Sequence, residues 1–323
     1  MKVIFSIVLR ASISIVMLFF LFKWIGIKKI IGVTHTARWE LLCLTGLLFL
    51  LIYILCFFRW CLLLKSAGVN APFGRLVVSY AGGIFFNLFL PSTIGGDFVR
   101  IADLTNHAKR TREIAATVLL DRLSGFVALS LIVLISIGLG HTYIKEQGIL
   151  NPVLILFSIV LIMVWIFFTK NLFSKLKMLI PVNSFRIKAE SLHAEIFFFR
   201  KKKKVLLDSL LISLLAQIAI VFSYYLIFLS LGYKLNLIFF FIAVPLINVA
   251  AMIPLSIGGL GIRDMGSAFF FAKVGITKDI AVAASLLNFS FMAIASILCG
   301  IIYVVALHNR WLQRGKKISG LER

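Results

Sequence analysis

An arginine follows a pair of glycines at two distant places in the chain, and a proline precedes each pair. The first segment is PSTIGGDFVR at 91–100, and the second is PLSIGGLGIR at 254–263. When the segments are aligned without a gap, seven of the ten positions are identical or differ only as Thr from Ser or Val from Ile. A guanidinium group can hold two oxygens of a phosphate or carboxylate by parallel hydrogen bonds. The spacing therefore points to two related anion-binding segments.

Proline and glycine predict that a helix breaks within each segment. Pro91 and Pro254 lack an N–H donor and disfavour helix at the residue before them. Thr93 and Ser256 can cap a following helix, and the glycines allow a close approach to another helix or a ligand. A half-helix that begins inside the protein presents unpaired N–H groups and the positive end of its dipole, and both favour an anion.

Charged residues are concentrated around the first segment. Asp97, Arg100 and Asp103 lie within it or just after it, and Asp121 and Arg122 lie in the next apolar run. A charge at the centre of a spanning helix costs about 2.5 to 3.5 kcal/mol even on a mild scale, so such residues face inward and find partners. We expect Arg122 to pair with Asp97 or Asp103, and Asp121 to pair with the arginine of one of the two segments. Such pairs either contact a substrate or only hold the break in place.

The second segment is less polar than the first. Asp264 follows Arg263, but Leu260, Leu287 and Asn288 stand where the first unit has Asp97, Asp121 and Arg122. We therefore expect the two halves of the site to have different functions.

The candidate site is a binding site, with no predicted catalytic residue, metal ligand or cofactor. The alternative is that the glycines serve helix packing and that the arginines reach the membrane interface. The predicted substrate-binding residues are Asn87, Thr93, Gly95, Gly96, Asp97, Arg100, Asp103, Asp121, Arg122, Ser256, Gly258, Gly259, Gly261, Arg263 and Asp264.

The elements that must position these residues are apolar helices. Of the 323 residues 61% are hydrophobic and 31 are Phe, far above the share in a soluble domain. A span takes about 20 apolar helical residues, and the apolar runs are continuous rather than alternating, which disfavours a barrel. The sequence predicts an all-α, polytopic integral membrane protein with about eight transmembrane helices and two re-entrant or broken-helix motifs. The predicted spans lie near 3–22, 41–58, 76–90, 114–138, 150–168, 205–231, 237–254 and 280–306.

We interpret residues 1–323 as a single transmembrane domain with internal repeat units at about 76–138 and 237–306. TREIAATVLL at 111–120 also matches TKDIAVAASL at 277–286, with a three-residue offset. Whether the repeats are parallel or inverted stays open, because the number of crossings between them is predicted only to within one. In a membrane protein, helix breaks at matching places in two halves indicate a binding site.

The basic residues that give the net charge of +22 lie at helix ends. We therefore expect them to orient the chain in the membrane and to contact anionic lipid head groups, not to bind nucleic acid. The connection 169–204 holds ten Lys or Arg, which places it in the cytoplasm, either as an interfacial helix or as a solvated linker. We expect a multi-pass protein of the cell (inner, cytoplasmic) membrane. The side of the termini stays open.

The chain resembles the lysylphosphatidylglycerol synthase transmembrane region family, also called flippase-like domain proteins. The resemblance rests on NLFLPSTIGGDFVR at 87–100, LLDRL at 119–123 and SIGGLGIRD at 256–264. It departs from many relatives at Leu287 and Asn288, where they carry a Tyr-Arg or similar pair. The resemblance implies a polytopic helical fold with re-entrant elements and a role in moving or handling lipids. It also implies that the soluble aminoacyl-transferase domain of the full-length synthases is missing here.

These features favour a lipid translocase that binds an anionic phospholipid or a polyprenyl-phosphate-linked head group in a polar intramembrane cavity. One alternative is a membrane-embedded glycosyl- or other group-transferase that acts on a lipid-linked phosphate. The other is a non-catalytic accessory subunit whose partner is a lipid-modifying synthase. An enzyme is the less favoured class, because nucleotide-binding, zincin and serine hydrolase motifs are absent from the sequence. The lipid and the oligomeric state stay open.

Overall fold

Ten α-helices form the part of the chain that the structure describes. The computed structural model describes residues 37–89, 94–139, 150–170, 173, 183–252 and 259–319. A short 3₁₀ turn, Phe199–Lys201, lies between α6 and α7. The helices are α1 Trp39–Ser66, α2 Phe73–Phe89, α3 Ile94–Ala108, α4 Thr111–Leu139, α5 Leu150–Phe168, α6 Asn183–Phe198, α7 Lys203–Ser230, α8 Leu237–Ala251, α9 Ile262–Ala272 and α10 Lys278–Ser319.

Four of the described helices are long and apolar enough to cross a membrane: α1, α4, α7 and the Lys278–Leu307 part of α10. Shorter apolar helices cover Phe73–Leu88, Val153–Phe168 and Leu237–Ala251. Seven of the predicted spans thus fall on described helices, whereas the predicted span at 3–22 lies outside the described residues. The multi-pass, all-helical prediction is confirmed for the described part of the chain, and the total of eight crossings stays a prediction.

Helix α4 occupies the centre of the bundle. It packs against α1, α3, α5, α6, α7 and α8, and half of its apolar window is buried inside the protein. The apolar windows of α1 and α10 are far less buried, and side chains such as Leu47, Ile54 and Ile301 point outward. A charged residue at the middle of α4 is therefore surrounded by protein rather than by lipid.

The elements around the two predicted repeats follow the same order. An apolar helix (α2 or α8) is followed by a short helix (α3 or α9) and a long helix (α4 or α10). Helix α2 packs against α10, and α8 packs against α4, so the first helix of each unit contacts the last helix of the other. This reciprocal packing brings the two units together.

Pro91 and Pro254 lie outside the described residues, so the predicted break at each proline stays a prediction. Helix α2 ends at Phe89 and α3 begins at Ile94, whereas α8 ends at Ala251 and α9 begins only at Ile262. Gly96 therefore lies inside α3, while Gly259 and Gly261 precede α9 with φ of 73° and 83°. The same sequence pattern forms a helix–helix contact in one unit and a turn in the other.

Candidate functional site

A cavity of about 370 Å³ lies between the two units. Its lining comes from α1, α2, α4, α7, α8, α9 and α10, and its volume falls within the range of about 300 to 1,000 Å³ that is usual for ligand pockets. Four of the predicted site residues line it: Asn87, Asp121 and Arg122 from the first unit and Arg263 from the second. Both predicted repeat units thus contribute to one cavity, but of the two sequence segments only 254–263 has a described residue in its lining, Arg263.

Asp121 is the one carboxylate among the described residues that line the cavity, and it is paired with two arginines. Arg59 Nε donates to its Oδ1 at 2.7 Å, and both Nη atoms of Arg100 lie 3.3 to 3.4 Å from its Oδ2. Arg59 Nη1 also donates to Ser213 Oγ at 2.7 Å, which connects α1, α4 and α7. The side chain of Asp121 is only 7% exposed. A carboxylate so buried needs partners of opposite charge, and it has two.

Arg122 pairs with Asp97 as the sequence predicts. Its Nε lies 2.7 Å from Asp97 Oδ2, and Arg100 Nη2 lies 3.3 Å from Asp97 Oδ1. Asp97 therefore bridges two guanidinium groups and joins the short helix α3 to α4. The predicted pairing of Asp121 with an arginine of the two segments is also confirmed, and the partner is Arg100.

Arg100 lies behind this network and is not part of the cavity lining. Its guanidinium carbon lies 4.5 Å from the centre of the Trp60 ring and 5.5 Å from that of Tyr80. These contacts, together with the two aspartates, give Arg100 a role in joining α3 to α1, α2 and α4. The guanidinium groups that line the cavity from the first half of the chain are those of Arg59 and Arg122.

In the second unit, Arg263 lines the cavity and is held by its neighbours. Its Nε donates to Ser285 Oγ at 3.0 Å, and its Nη2 lies 3.4 Å from Asp264 Oδ1. Ser285 donates in turn to the same carboxylate oxygen, and the backbone N–H of Gly261 donates to Asp264 Oδ2 at 2.9 Å. Asp264 therefore both orients Arg263 and caps the start of α9. The N–H at Gly261 is consequently not available to an anion.

The remaining predicted residues either lie in contacts within the fold or fall outside the described part of the chain. Gly96 N donates to Asn87 Oδ1 at 2.9 Å, which fixes the crossing of α2 and α3. Gly95 is the second residue of α3 and does not line the cavity. Asp103 lies apart from the cavity, where it pairs with Arg75 at 3.2 Å and accepts a hydrogen bond from Ser79. Thr93, Ser256 and Gly258 fall outside the described residues.

Several cavity residues are not among the predicted ones. Arg59 is the most important, because it carries charge and binds Asp121 directly. Gln217, Asn248 and Asn288 add amide groups to the lining. Where the structure is described, no cluster of three or more His, Cys, Asp or Glu could hold a metal ion. The charged groups of the lining are thus three guanidiniums, Arg59, Arg122 and Arg263, and one carboxylate, Asp121.

Residues 7–300 match the family described as the lysylphosphatidylglycerol synthase TM region. A UPF0104 membrane protein of Pyrococcus horikoshii is 28% identical over 307 residues, which cover 85% of this chain and 90% of that protein. A UPF0104 membrane protein of Methanocaldococcus jannaschii is 24% identical over 297 residues, which cover 85% of this chain and 87% of that protein. No solved structure matches the chain significantly. The resemblance predicted from the sequence is confirmed.

Proposed function

The chain belongs to the lysylphosphatidylglycerol synthase TM region family, and we propose that it is a translocase for lipids with an anionic head group. The head group enters the cavity between the two units, and the lipid tails stay in the surrounding bilayer. Both anionic phospholipids and polyprenyl-phosphate lipids have a head group of this kind.

The charge of the cavity carries this proposal. Arg59, Arg122 and Arg263 line it, while Asp121 is its only described carboxylate and is already engaged by two guanidinium groups. A desolvated phosphate that contacts guanidinium groups gains charge-assisted hydrogen bonds. Arg122 is the best placed of the three, because 26% of its side chain is exposed while it remains paired with Asp97.

The apolar part of the cavity supports a lipid rather than a free anion. Phe49 and Ile52 of α1 and Phe126 and Leu129 of α4 form much of the wall beside the charged groups. A ligand that fills such a cavity must itself have a charged end and an apolar end. The outward faces of the spanning helices are apolar as well, as for Leu47 and Leu50 of α1. A tail that leaves the cavity between helices therefore meets lipid.

The direct test is transbilayer movement in reconstituted vesicles. Purified protein is placed in phosphatidylcholine vesicles that contain a trace of fluorescent phosphatidylglycerol, and the label on the outer leaflet is quenched with a membrane-impermeant reductant. We expect the protein to make the inner-leaflet label accessible. Arg122→Gln and Arg263→Gln each remove a charged hydrogen bond of about 1.5 to 3 kcal/mol, so the rate should fall about ten- to hundredfold.

Arg112→Gln is the matched control, because Arg112 lies on the same helix as Arg122 but is exposed and lies outside the cavity lining. We expect its rate to equal that of the parent protein. Thermal unfolding of each variant separates loss of movement from loss of folding. If folded Arg122→Gln and Arg263→Gln both move the lipid at the parent rate, the cavity is not the path of the head group.

A further inference from the structure

Two buried N–H groups without a partner belong to side chains that contact each other. Among the residues that the structure describes, Trp60 Nε1 and Arg100 Nε have no hydrogen-bond partner. Trp60 is fully buried and Arg100 is 4% exposed, and the guanidinium carbon of Arg100 lies 4.5 Å from the centre of the Trp60 ring. A buried N–H group left unpaired is costly, so the two groups indicate a ligand that accepts hydrogen bonds from them.

The surroundings of the two groups are apolar and separate from the cavity. Leu64 and Leu104, both almost fully buried, pack with Trp60 in one cluster, and the Tyr80 ring lies 5.9 Å from that of Trp60. Neither Trp60 nor Arg100 is part of the cavity lining. In such low-dielectric surroundings an unpaired donor or an unbalanced charge costs more than it does near water.

The ion pairs that include Arg100 contain one more positive charge than negative charge. They join the guanidinium groups of Arg59, Arg100 and Arg122 to the carboxylates of Asp97 and Asp121. Of these five side chains, only that of Arg122 is more than 14% exposed. A buried network of this kind is stable when its charges balance. One further negative charge beside Arg100 supplies that balance.

An anion fits these two observations better than a water molecule. Trp60 Nε1 and the guanidinium nitrogens of Arg100 are donors only. A water molecule that accepts from both still has two hydrogens that need acceptors, whereas an anion only accepts. Water also leaves the excess positive charge unbalanced. Two donors suit a small monovalent ion such as chloride, since phosphate has more oxygens than these two N–H groups can bind.

We infer that chloride, or another small monovalent anion of the same chemistry, binds between Trp60 and Arg100. It accepts hydrogen bonds from Trp60 Nε1 and Arg100 Nε and supplies the negative charge that the ion pairs lack. Because Trp60 lies on α1 and Arg100 on α3, the ion stabilises the contact between these two helices. The inference goes beyond the proposed function and stands whether or not the chain moves lipid.

The first experiment compares anions at constant ionic strength. The detergent-solubilised protein is melted in sodium gluconate, and the gluconate is replaced stepwise by chloride. Gluconate is a larger anion, which the buried space between two contacting side chains does not admit. The melting midpoint should rise with chloride and saturate, by about 2 to 4 °C once chloride exceeds its dissociation constant about tenfold. An unchanged midpoint overturns the inference.

Variants locate the ion. Trp60→Phe keeps an aromatic ring beside Arg100 and removes the N–H group, so its melting midpoint should not depend on chloride. Trp39→Phe is the matched control, because Trp39 is 69% exposed. Arg263→Gln is a second control, which removes a guanidinium group of the cavity. Both controls should keep the chloride dependence of the parent protein. If Trp60→Phe keeps this dependence, or if Arg263→Gln loses it, the ion lies elsewhere and the inference is overturned.

A direct observation of the ion needs no variant. Bromide can replace chloride, and its anomalous scattering locates it in crystals of the parent protein. The inference predicts a bromide ion within hydrogen-bond distance of both Trp60 Nε1 and Arg100 Nε. Water at this position that bromide does not replace, or anomalous density only at the surface or in the cavity, overturns the inference.

Discussion

Replacement of Gly96 by alanine should force α2 and α3 apart. A Cβ atom at Gly96 would lie 1.9 Å from the backbone oxygen of Gly83 and 2.5 Å from Asn87 Oδ1. Ordinary van der Waals contact begins near 3.4 Å, so the backbones must separate by about 1.5 Å. The hydrogen bond from Gly96 N to Asn87 Oδ1, now 2.9 Å long, breaks when they do.

The expected cost has two parts. Overpacking of a well-packed contact costs about 1 to 3 kcal/mol, and loss of the hydrogen bond adds about 1 kcal/mol. We therefore expect Gly96→Ala to lower the free energy of unfolding by about 2 to 4 kcal/mol. The same displacement moves Arg100, which lies four residues along α3, away from Asp121. The assay is denaturant unfolding in detergent micelles, followed by circular dichroism.

Two glycines of α2, Gly83 and Gly74, provide a graded comparison with Gly96 of α3. A Cβ at Gly83 would lie 3.1 Å from the Gly96 oxygen, so Gly83→Ala should be intermediate. A Cβ at Gly74 would meet nothing within 4 Å, and Gly74→Ala should be neutral or stabilising by up to about 1 kcal/mol. If Gly96→Ala unfolds with the same free energy as Gly74→Ala, the close crossing of α2 and α3 is wrong.

Three further predictions concern the charged groups. Asp121→Asn leaves two buried guanidinium groups short of a counter-charge and should lower the free energy of unfolding by about 3 to 5 kcal/mol, and a loss below about 1 kcal/mol would contradict the buried network. Asp97→Ala and Arg122→Ala should show a coupling energy of about 1 to 3 kcal/mol in a double-mutant cycle, whereas additive effects would mean that the pair contributes nothing. Burial lowers the pKa of His193 in α6, and the positive charge of Lys170 lowers it further. The hydrogen bond to Ile166 O raises the pKa but only partly offsets these two effects. Because the folded pKa lies below the unfolded one of about 6.5, the stabilising contribution of neutral His193 is present above that pH and is lost as the pH falls below it. Hydrogen exchange of α6 should therefore accelerate on acidification, and His193→Gln should remove this dependence.

Composition and continuous apolar runs were sufficient to predict the helical, membrane-spanning class. The cost of burying charge was sufficient to limit the partner of Arg122 to Asp97 or Asp103 and that of Asp121 to Arg100 or Arg263, since charged groups within the membrane must find each other. The structure then selects Asp97 and Arg100. Arg59 shows what the apolar pattern could not predict. A span predicted to end at residue 58 places it at the interface, but α1 continues to Ser66 and brings it inside. Helix ends are set by packing, which a local apolar pattern does not contain.

The roles of the repeated residues could not be predicted from their repetition. Arg100 and Arg263 occupy equivalent sequence positions, yet Arg263 lines the cavity while Arg100 packs against Trp60 behind Asp121. The difference arises because Asp97 and Asp121 hold Arg100, whereas Ser285 and Asp264 hold Arg263. Which neighbours surround a residue depends on tertiary contacts between the units, and a short alignment does not include them.

The most direct test of the central claim is an experimental structure of the protein in nanodiscs that contain phosphatidylglycerol. We expect a phosphate in the cavity, with oxygens about 2.7 to 2.9 Å from guanidinium nitrogens of Arg122 and Arg263 and the tails emerging between helices. A structure with ordered phosphatidylglycerol only on the outer surface of the bundle, and water alone beside Arg122 and Arg263, would contradict the assignment of this cavity as a head-group site.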